Sequence, residues 1–236
     1  MIQAAFFVGA YLVGAIPFGV LFARAKGIDL FAVGSGNVGA TNVKRALGLG
    51  PAIVVFLLDV LKGFIPAFIA LRVLGSQDWA IGVGVAAILG HCFSPFLKFK
   101  GGKGIATGLG VLFGVTPWVA LSVFGVFLLS MLIHRWVSLS SLTAVVTAPF
   151  FGWLFGDSPG MFLFYGALLV FVLIRHRENI HRLFEGTEPK FKFKDREKKE
   201  SKDDEDSSPK SFSVIERNRS NKSYSTYSQN IGEPNA

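Results

Sequence analysis

At 236 residues, 51% hydrophobic and only 17% charged, with a mean hydropathy of +0.48, the chain is too apolar for a water-soluble domain of its size and reads as a membrane protein. Its formal net charge of +8 is unevenly spread: of 24 Lys and Arg and 16 Asp and Glu, 11 and 9 fall in residues 190–236, leaving 13 cations and 7 anions for the first 189 residues. Cys92 is the single cysteine, which excludes an intramolecular disulfide and a thiolate metal cluster.

The chain opens with an apolar run over 2–24 that lacks a basic n-region and a small-residue cleavage site, so it is expected to remain as a span. A bilayer core takes about 20 apolar residues in helix, and further candidates cover 51–74, 79–97, 105–133, 137–156 and 160–175. The 29 residues of 105–133 are too long for one span. They would stretch about 43 Å against a core of about 30 Å. Pro117, which cannot donate to the helical ladder, sits within them. The run is expected to divide at Gly114–Pro117, leaving a short, tilted or sheltered helix over 104–114.

Seven spans with the N-terminus outside satisfy the positive-inside rule. Cytoplasmic segments then hold Arg24, Lys26, Lys44 and Arg45; Lys98, Lys100 and Lys103; Arg135; and Arg175, Arg177 and the tail, whereas external loops hold only Arg72. Six spans would put Arg135 and the basic C-terminal region outside. Trp79, Trp118, Trp136 and Trp153 fall near span ends, as interfacial aromatic belts prefer. The expected fold is therefore an all-α polytopic helix bundle over residues 1–189, followed by a charged cytoplasmic tail over 190–236. That tail has too little apolar content to offset ordering entropy and is expected to be disordered. Its start, KFKFKDREKK, reads as a solvated charge run, with contact to anionic headgroups as the alternative.

Chemistry gathers on the cytoplasmic side. GSGNVGATNVKR, from Gly34 to Arg45, matches the G-x-G-x-x-G spacing, but it lies between two spans and not within a βαβ unit, so a dinucleotide fold is rejected. Its physical content remains: the glycines, Gly36 among them, expose backbone N–H groups to an anion, Ser35, Asn37, Thr41 and Asn42 add polar contacts, and Arg45 adds a fork of donors. KFKGGKGIATG, from Lys98 to Gly108, repeats this with Lys103 at a helix start, where free N–H groups and an ammonium both favour anions. Asp59 and Lys62, at i and i+3 inside a span, read as a mutually neutralising structural pair, and His91 as a hydrogen-bonded packing residue. Arg175, His176, Asn179 and Arg182 are expected to share one cationic face at the interface, with Leu183 and Phe184 toward lipid.

With these loops in view the sequence resembles the acyl-phosphate-dependent glycerol 3-phosphate acyltransferases, the PlsY family, over about residues 1–190. The matching blocks are GSGNVGATNVKR, DVLKG at Asp59–Gly63, HCFSPFLKFKGGKGIATGLG at His91–Gly110 and RHRENIHRLFEGTE at Arg175–Glu188. Phe31 and Ser94 depart from residues common in the family and put only local loop geometry in question. The resemblance implies transfer of a fatty acyl group from acyl phosphate to the sn-1 hydroxyl of glycerol 3-phosphate, giving lysophosphatidic acid and inorganic phosphate in the phospholipid synthesis of a bacterial inner membrane. It implies no cofactor, a site facing the cytoplasm, membrane lipid but no nucleic acid as a partner, and a functional link to the enzyme that forms acyl phosphate. By the same resemblance Arg45 and Lys103 hold phosphate, Ser35 and the Gly34–Asn37 backbone serve the second phosphate or the oxyanion, His176 and Asn179 hold the glycerol, and Ser141 touches substrate. His176 or the acceptor's own phosphate is the base. Three rivals lack their signatures: a phosphate-ester transporter, for which no inverted repeat is found; a metal-dependent phosphotransferase, because the spans carry only Asp59; and a His-x4-Asp acyltransferase, because none of His91, His134, His176 and His181 has the aspartate.

Overall fold

Two prolines decide where the hydrophobic runs break. Pro17 separates α1 (Ile2–Ala15) from α2 (Phe18–Arg24), so the first span is kinked and not continuous as expected. The carbonyls this break releases are not left bare in the bilayer. Ser94 Oγ donates to the Ala15 carbonyl at 2.7 Å and Lys62 Nζ to the Ile16 carbonyl at 3.0 Å. Ser94, one of the two family departures, is thus a buried staple of the kink. Pro117 starts α7 (Pro117–His134) directly after α6 (Ile105–Val115), with Thr116 in a non-helical conformation between them. The expected division stands within a residue or two.

A computed structural model describes residues 1–192. In chain order the remaining helices are α3 (Ala40–Leu47), α4 (Leu49–Leu74), α5 (Gln77–Cys92), α8 (Val137–Leu154), α9 (Pro159–Arg175) and α10 (Arg177–Phe184), with a 3-10 turn at Pro95–Leu97 and no strand among the described residues. Five segments are long and apolar enough to cross a bilayer: Ile2–Arg24, Leu49–Leu74, Gln77–Leu97, Pro117–His134 and Val137–Leu154. The pair α9–α10, bent by 63°, makes a sixth if taken as one span, and α6, expected as part of a seventh, is a shorter apolar helix. Most residues of α6 face protein, including Thr107, Gly108, Gly110, Val111 and Leu112, which lets 11 residues sit in the membrane without spanning it alone. The tail beyond Lys192, with its expected disorder, lies outside the described residues.

Lipid offers no hydrophobic drive for helix association, so close backbone approach matters more. A Cβ built on Gly63 of α4 would lie 2.1 Å from the Thr107 carbonyl oxygen, and one on Gly110 of α6 would lie 1.9 Å from that of Val60. The helices α4 and α6 therefore pack backbone to backbone. The same holds for α1 and α5, where Gly14 and Gly90 face the Ala87 and Tyr11 carbonyls at 2.1 Å each. Any side chain at these positions would force the pairs apart and disturb the end of the bundle that carries the two glycine-rich loops.

Candidate active site

The segment 34–45 is only half loop, because its second half folds as α3. Asn42, on that helix, is 1% exposed and holds the loop in shape. Its Nδ2 donates to the Leu30 and Val33 carbonyls at 3.0 and 2.9 Å, and its Oδ1 accepts from the Ser35 N–H at 2.9 Å. Gly34, at φ +62°, is what admits this: a Cβ there would stand 2.3 Å from Asn42 Oδ1. The second loop folds back onto the end of α5 through Gly101 N–H to the Cys92 carbonyl and Gly102 N–H to the His91 carbonyl, both at 3.1 Å. A Cβ on Gly102 would meet His91 Nε2 at 2.1 Å. Those two glycines serve packing as much as anion binding, and Lys103 is delivered by the turn they permit.

The expected common face of Arg175, His176, Asn179 and Arg182 is broken at Arg175, because the chain bends between α9 and α10. Arg175 turns away and donates through Nη2 to the Gly101 and Gly102 carbonyls at 3.0 and 2.7 Å. Arg182 Nε donates to Glu188 Oε2 at 2.7 Å. His176 and Asn179 remain, both buried, and a short polar chain runs through Asn179. Lys103 Nζ donates to Asn179 Oδ1, whose Nδ2 donates to Glu188 Oε1 at 2.7 Å. Ser138 Oγ donates to the same oxygen at 2.7 Å, and Trp136 Nε1 donates to the Glu188 carbonyl at 3.0 Å. Trp136, at the start of α8 as expected of a residue near a span end, is thus also a brace for Glu188. Glu188 and Ser138 went unassigned in the sequence. Glu188 lay inside the last motif with only Arg182, six residues earlier, as a hint.

These elements enclose a cavity of ≈ 900 Å³ lined by Ser35, Asn37, Thr41, Asn42, Arg45, Lys103, Ser141, His176 and Asn179, with Asp59, His91, Ser138 and Glu188 joining them. Of the site residues expected from sequence, Gly34 and Gly36 do not line it; Gly36, at φ +66°, turns the loop beside the Phe31 carbonyl. Burial, offset in part by Glu188, holds the Lys103 ammonium down to about 8. His176 Nδ1 lies 2.9 Å from the Val172 carbonyl, which can only accept, so Nδ1 carries the proton and Nε2 is the acceptor. Burial pushes the Glu188 carboxyl up, but hydrogen bonds from Ser138, Asn179 and Arg182 outweigh it and hold the group below the usual range. A second space of ≈ 580 Å³, almost wholly apolar and walled by α4, α6, α7, α8 and α9, meets the polar cavity at Phe56, Gly104, Ile105, Phe127 and Ser141. A polar chamber lined by Arg45 and Lys103, and by Asp59 and Glu188, thus opens into an apolar groove.

Residues 4–186 match the family described as glycerol-3-phosphate acyltransferase. The chain belongs to that family. A glycerol-3-phosphate acyltransferase of Aquifex aeolicus is 50% identical over 186 residues, covering 77% of this chain and 95% of the relative. One of Geobacter sulfurreducens is 46% identical over 186 residues, covering 78% and 94%. The crystal structure of PlsY (YgiH), an integral membrane glycerol 3-phosphate acyltransferase, in its glycerol 3-phosphate form is similar with a TM-score of 0.78 at 46% identity, over 81% of this chain and 96% of that one. A second structure of PlsY, in its lysophosphatidic acid form, matches with a TM-score of 0.76 at 45% identity. The protein is thus an integral membrane acyltransferase acting on glycerol 3-phosphate, and the loops that match the family's motifs are the ones that build the cavity.

Proposed function

We propose that this acyltransferase moves a fatty acyl group from acyl phosphate to the sn-1 hydroxyl of glycerol 3-phosphate, yielding lysophosphatidic acid and inorganic phosphate at the cytoplasmic face of a bacterial inner membrane. The observation that carries this is the junction of the apolar groove with the polar cavity, which holds Arg45 and Lys103, at Gly104, Ile105 and Ser141. A donor with a long tail and a phosphate head fits across that junction, its carbonyl carbon at the boundary. The acceptor, small and doubly charged, fits the polar side alone.

In this reading Arg45 and Lys103 hold the phosphates, and the Gly34–Asn37 backbone with Ser35 faces the second phosphate or the developing oxyanion. Asn179 is held by Glu188 so that its carbonyl faces Lys103, which fixes the ammonium's direction before substrate arrives. The acceptor hydroxyl attacks the acyl carbon, the mixed anhydride C–O bond breaks, and inorganic phosphate leaves. His176 Nε2 accepts from the glycerol and orients it. The hydroxyl proton passes to phosphate, whose second pKa of about 6 suits it as a base near neutral pH. Ser141 donates to the Val137 carbonyl at 2.8 Å and presents its oxygen where groove meets cavity. Proximity in a water-poor site supplies the rest.

Filling the groove tests this. Ala144→Trp intrudes on the apolar wall without touching the polar cavity. It should raise KM for a long-chain acyl phosphate far more than for a short-chain one and leave KM for glycerol 3-phosphate unchanged. A selective effect on glycerol 3-phosphate would overturn the assignment.

A further inference from the structure

At the mouth of the reaction cavity lies a second, outer chamber of ≈ 780 Å³ that none of the roles above requires. Thr41, Arg45, Val137 and Pro189 line both spaces, so one opens into the other. Among the described residues, the charged side chains that line the outer chamber are Lys44, Arg45, Lys190 and Lys192, and no carboxylate lines it. Half of this wall is a strap, residues 189–192, beyond the 4–186 stretch that carries the family match. The strap is fastened by its backbone: the Phe191 N–H donates to the Arg135 carbonyl at 2.7 Å, and the Lys192 carbonyl accepts from Lys44 Nζ. Lys44 also lies 4.3 Å from the centroid of the Phe191 ring, and Lys190 5.1 Å from that of Trp136.

We propose that this chamber is an outer binding station for a phosphate-monoester dianion arriving from water, from which glycerol 3-phosphate passes Arg45 into the reaction cavity. The inference rests on the acceptor occupying the inner cavity beside Arg45. The cations Arg45, Lys190 and Lys192 around one concave, partly desolvated mouth focus the field and raise the local concentration of a dianion before any close contact forms. The donor, arriving along the apolar groove, does not cross this mouth. Arg45 faces both chambers and is the residue over which the phosphate is handed inward. The strap lysines therefore act on capture and not on chemistry.

Because the strap is held by main-chain groups, Lys190→Gln with Lys192→Gln removes two charges and leaves its fastening in place. The experiment is steady-state acyl transfer by the full-length double variant in neutral phosphatidylcholine vesicles, at several salt concentrations, with glycerol 3-phosphate varied at saturating acyl phosphate. At low ionic strength kcat/KM for glycerol 3-phosphate should fall about threefold or more, with kcat and the donor KM unchanged, and the difference from wild type should vanish in high salt as the field is screened. Arg24→Gln with Lys26→Gln, which removes two charges from the same side outside both chambers, should behave as wild type. An unchanged kcat/KM and salt slope would overturn the proposal, as would a loss confined to kcat. So would an equal loss in the control pair, since that would be a general surface field. A defect that emerges only when anionic phosphatidylglycerol is added would overturn it too, because the chamber would then be reading a lipid headgroup. Wild-type enzyme that does not turn over glycerol 3-phosphate would instead refute the acceptor assignment itself.

Discussion

Truncating Lys103 to alanine removes the cation that the second glycine loop delivers and that Asn179 aims. A hydrogen bond to a charged group is worth about 1.5–3 kcal/mol, and at 1.36 kcal/mol per decade this is a loss of roughly 10- to 150-fold in kcat/KM for glycerol 3-phosphate. The wild-type pH profile gives an independent reading. Burial holds the ammonium down to about 8, so its charge is complete well below pH 8 and is lost as pH rises through that value. The phosphate needs the cation, so kcat/KM should fall on the alkaline side with a midpoint of about 8, reporting the free enzyme. In Lys103→Ala that limb should disappear, leaving a low, flat profile. In Lys103→Arg it should also disappear, because a guanidinium keeps its charge, whatever activity the bulkier fork allows. The assay is initial-rate kinetics in detergent micelles between roughly pH 6 and 9.5, around the perturbed lysine. A Lys103→Ala enzyme with wild-type kcat/KM, or one that keeps an alkaline limb near 8, would refute the role given to this side chain.

Three further outcomes follow from the same geometry. Lys62→Met leaves buried Asp59 without its 2.7 Å partner and the Ile16 carbonyl with only the Phe18 N–H at 3.2 Å, so it should destabilise the enzyme by about 3–5 kcal/mol, read as a lower thermal midpoint in detergent; an unchanged midpoint would contradict the bracing of the Pro17 kink. His176→Asn keeps a polar group but no imidazole, and should raise KM for glycerol 3-phosphate while leaving kcat within a few-fold and the pH profile unshifted; a collapse of kcat would make His176 the base. Reporters placed before Ile2 and after Ala25 should report the external and cytoplasmic sides respectively, and the opposite pattern would invert the proposed orientation.

How much of this was readable beforehand depended on whether the deciding force was local. Pro117 breaks a run that is too long, and that much is visible in length and residue type. Pro17 breaks a run of acceptable length, and the kink is tolerated only because Lys62 and Ser94, distant in sequence, satisfy the carbonyls it frees. The reading of Asp59 and Lys62 as a structural pair agrees with the 2.7 Å contact, but its purpose at the kink was invisible. The glycine loops pointed to the right region because anion cradles have a local signature. The division of labour within them did not: Asn42 shapes the loop while Arg45 lines two chambers, and Arg175 ties a loop while His176 faces the cavity. Helical periodicity failed there because the chain bends at His176. Glu188 became visible as the hub only when α8, α10 and the second loop were brought together.

Donor choice tests the central claim most directly. Purified enzyme in vesicles, supplied with glycerol 3-phosphate and one of acyl phosphate, acyl coenzyme A or acyl carrier protein of the same chain length, is assayed for lysophosphatidic acid and for inorganic phosphate. The cavity-and-groove account predicts product with acyl phosphate alone, released in equal amount with inorganic phosphate. Equal or better turnover with either thioester donor, or product formed without stoichiometric phosphate, would contradict it.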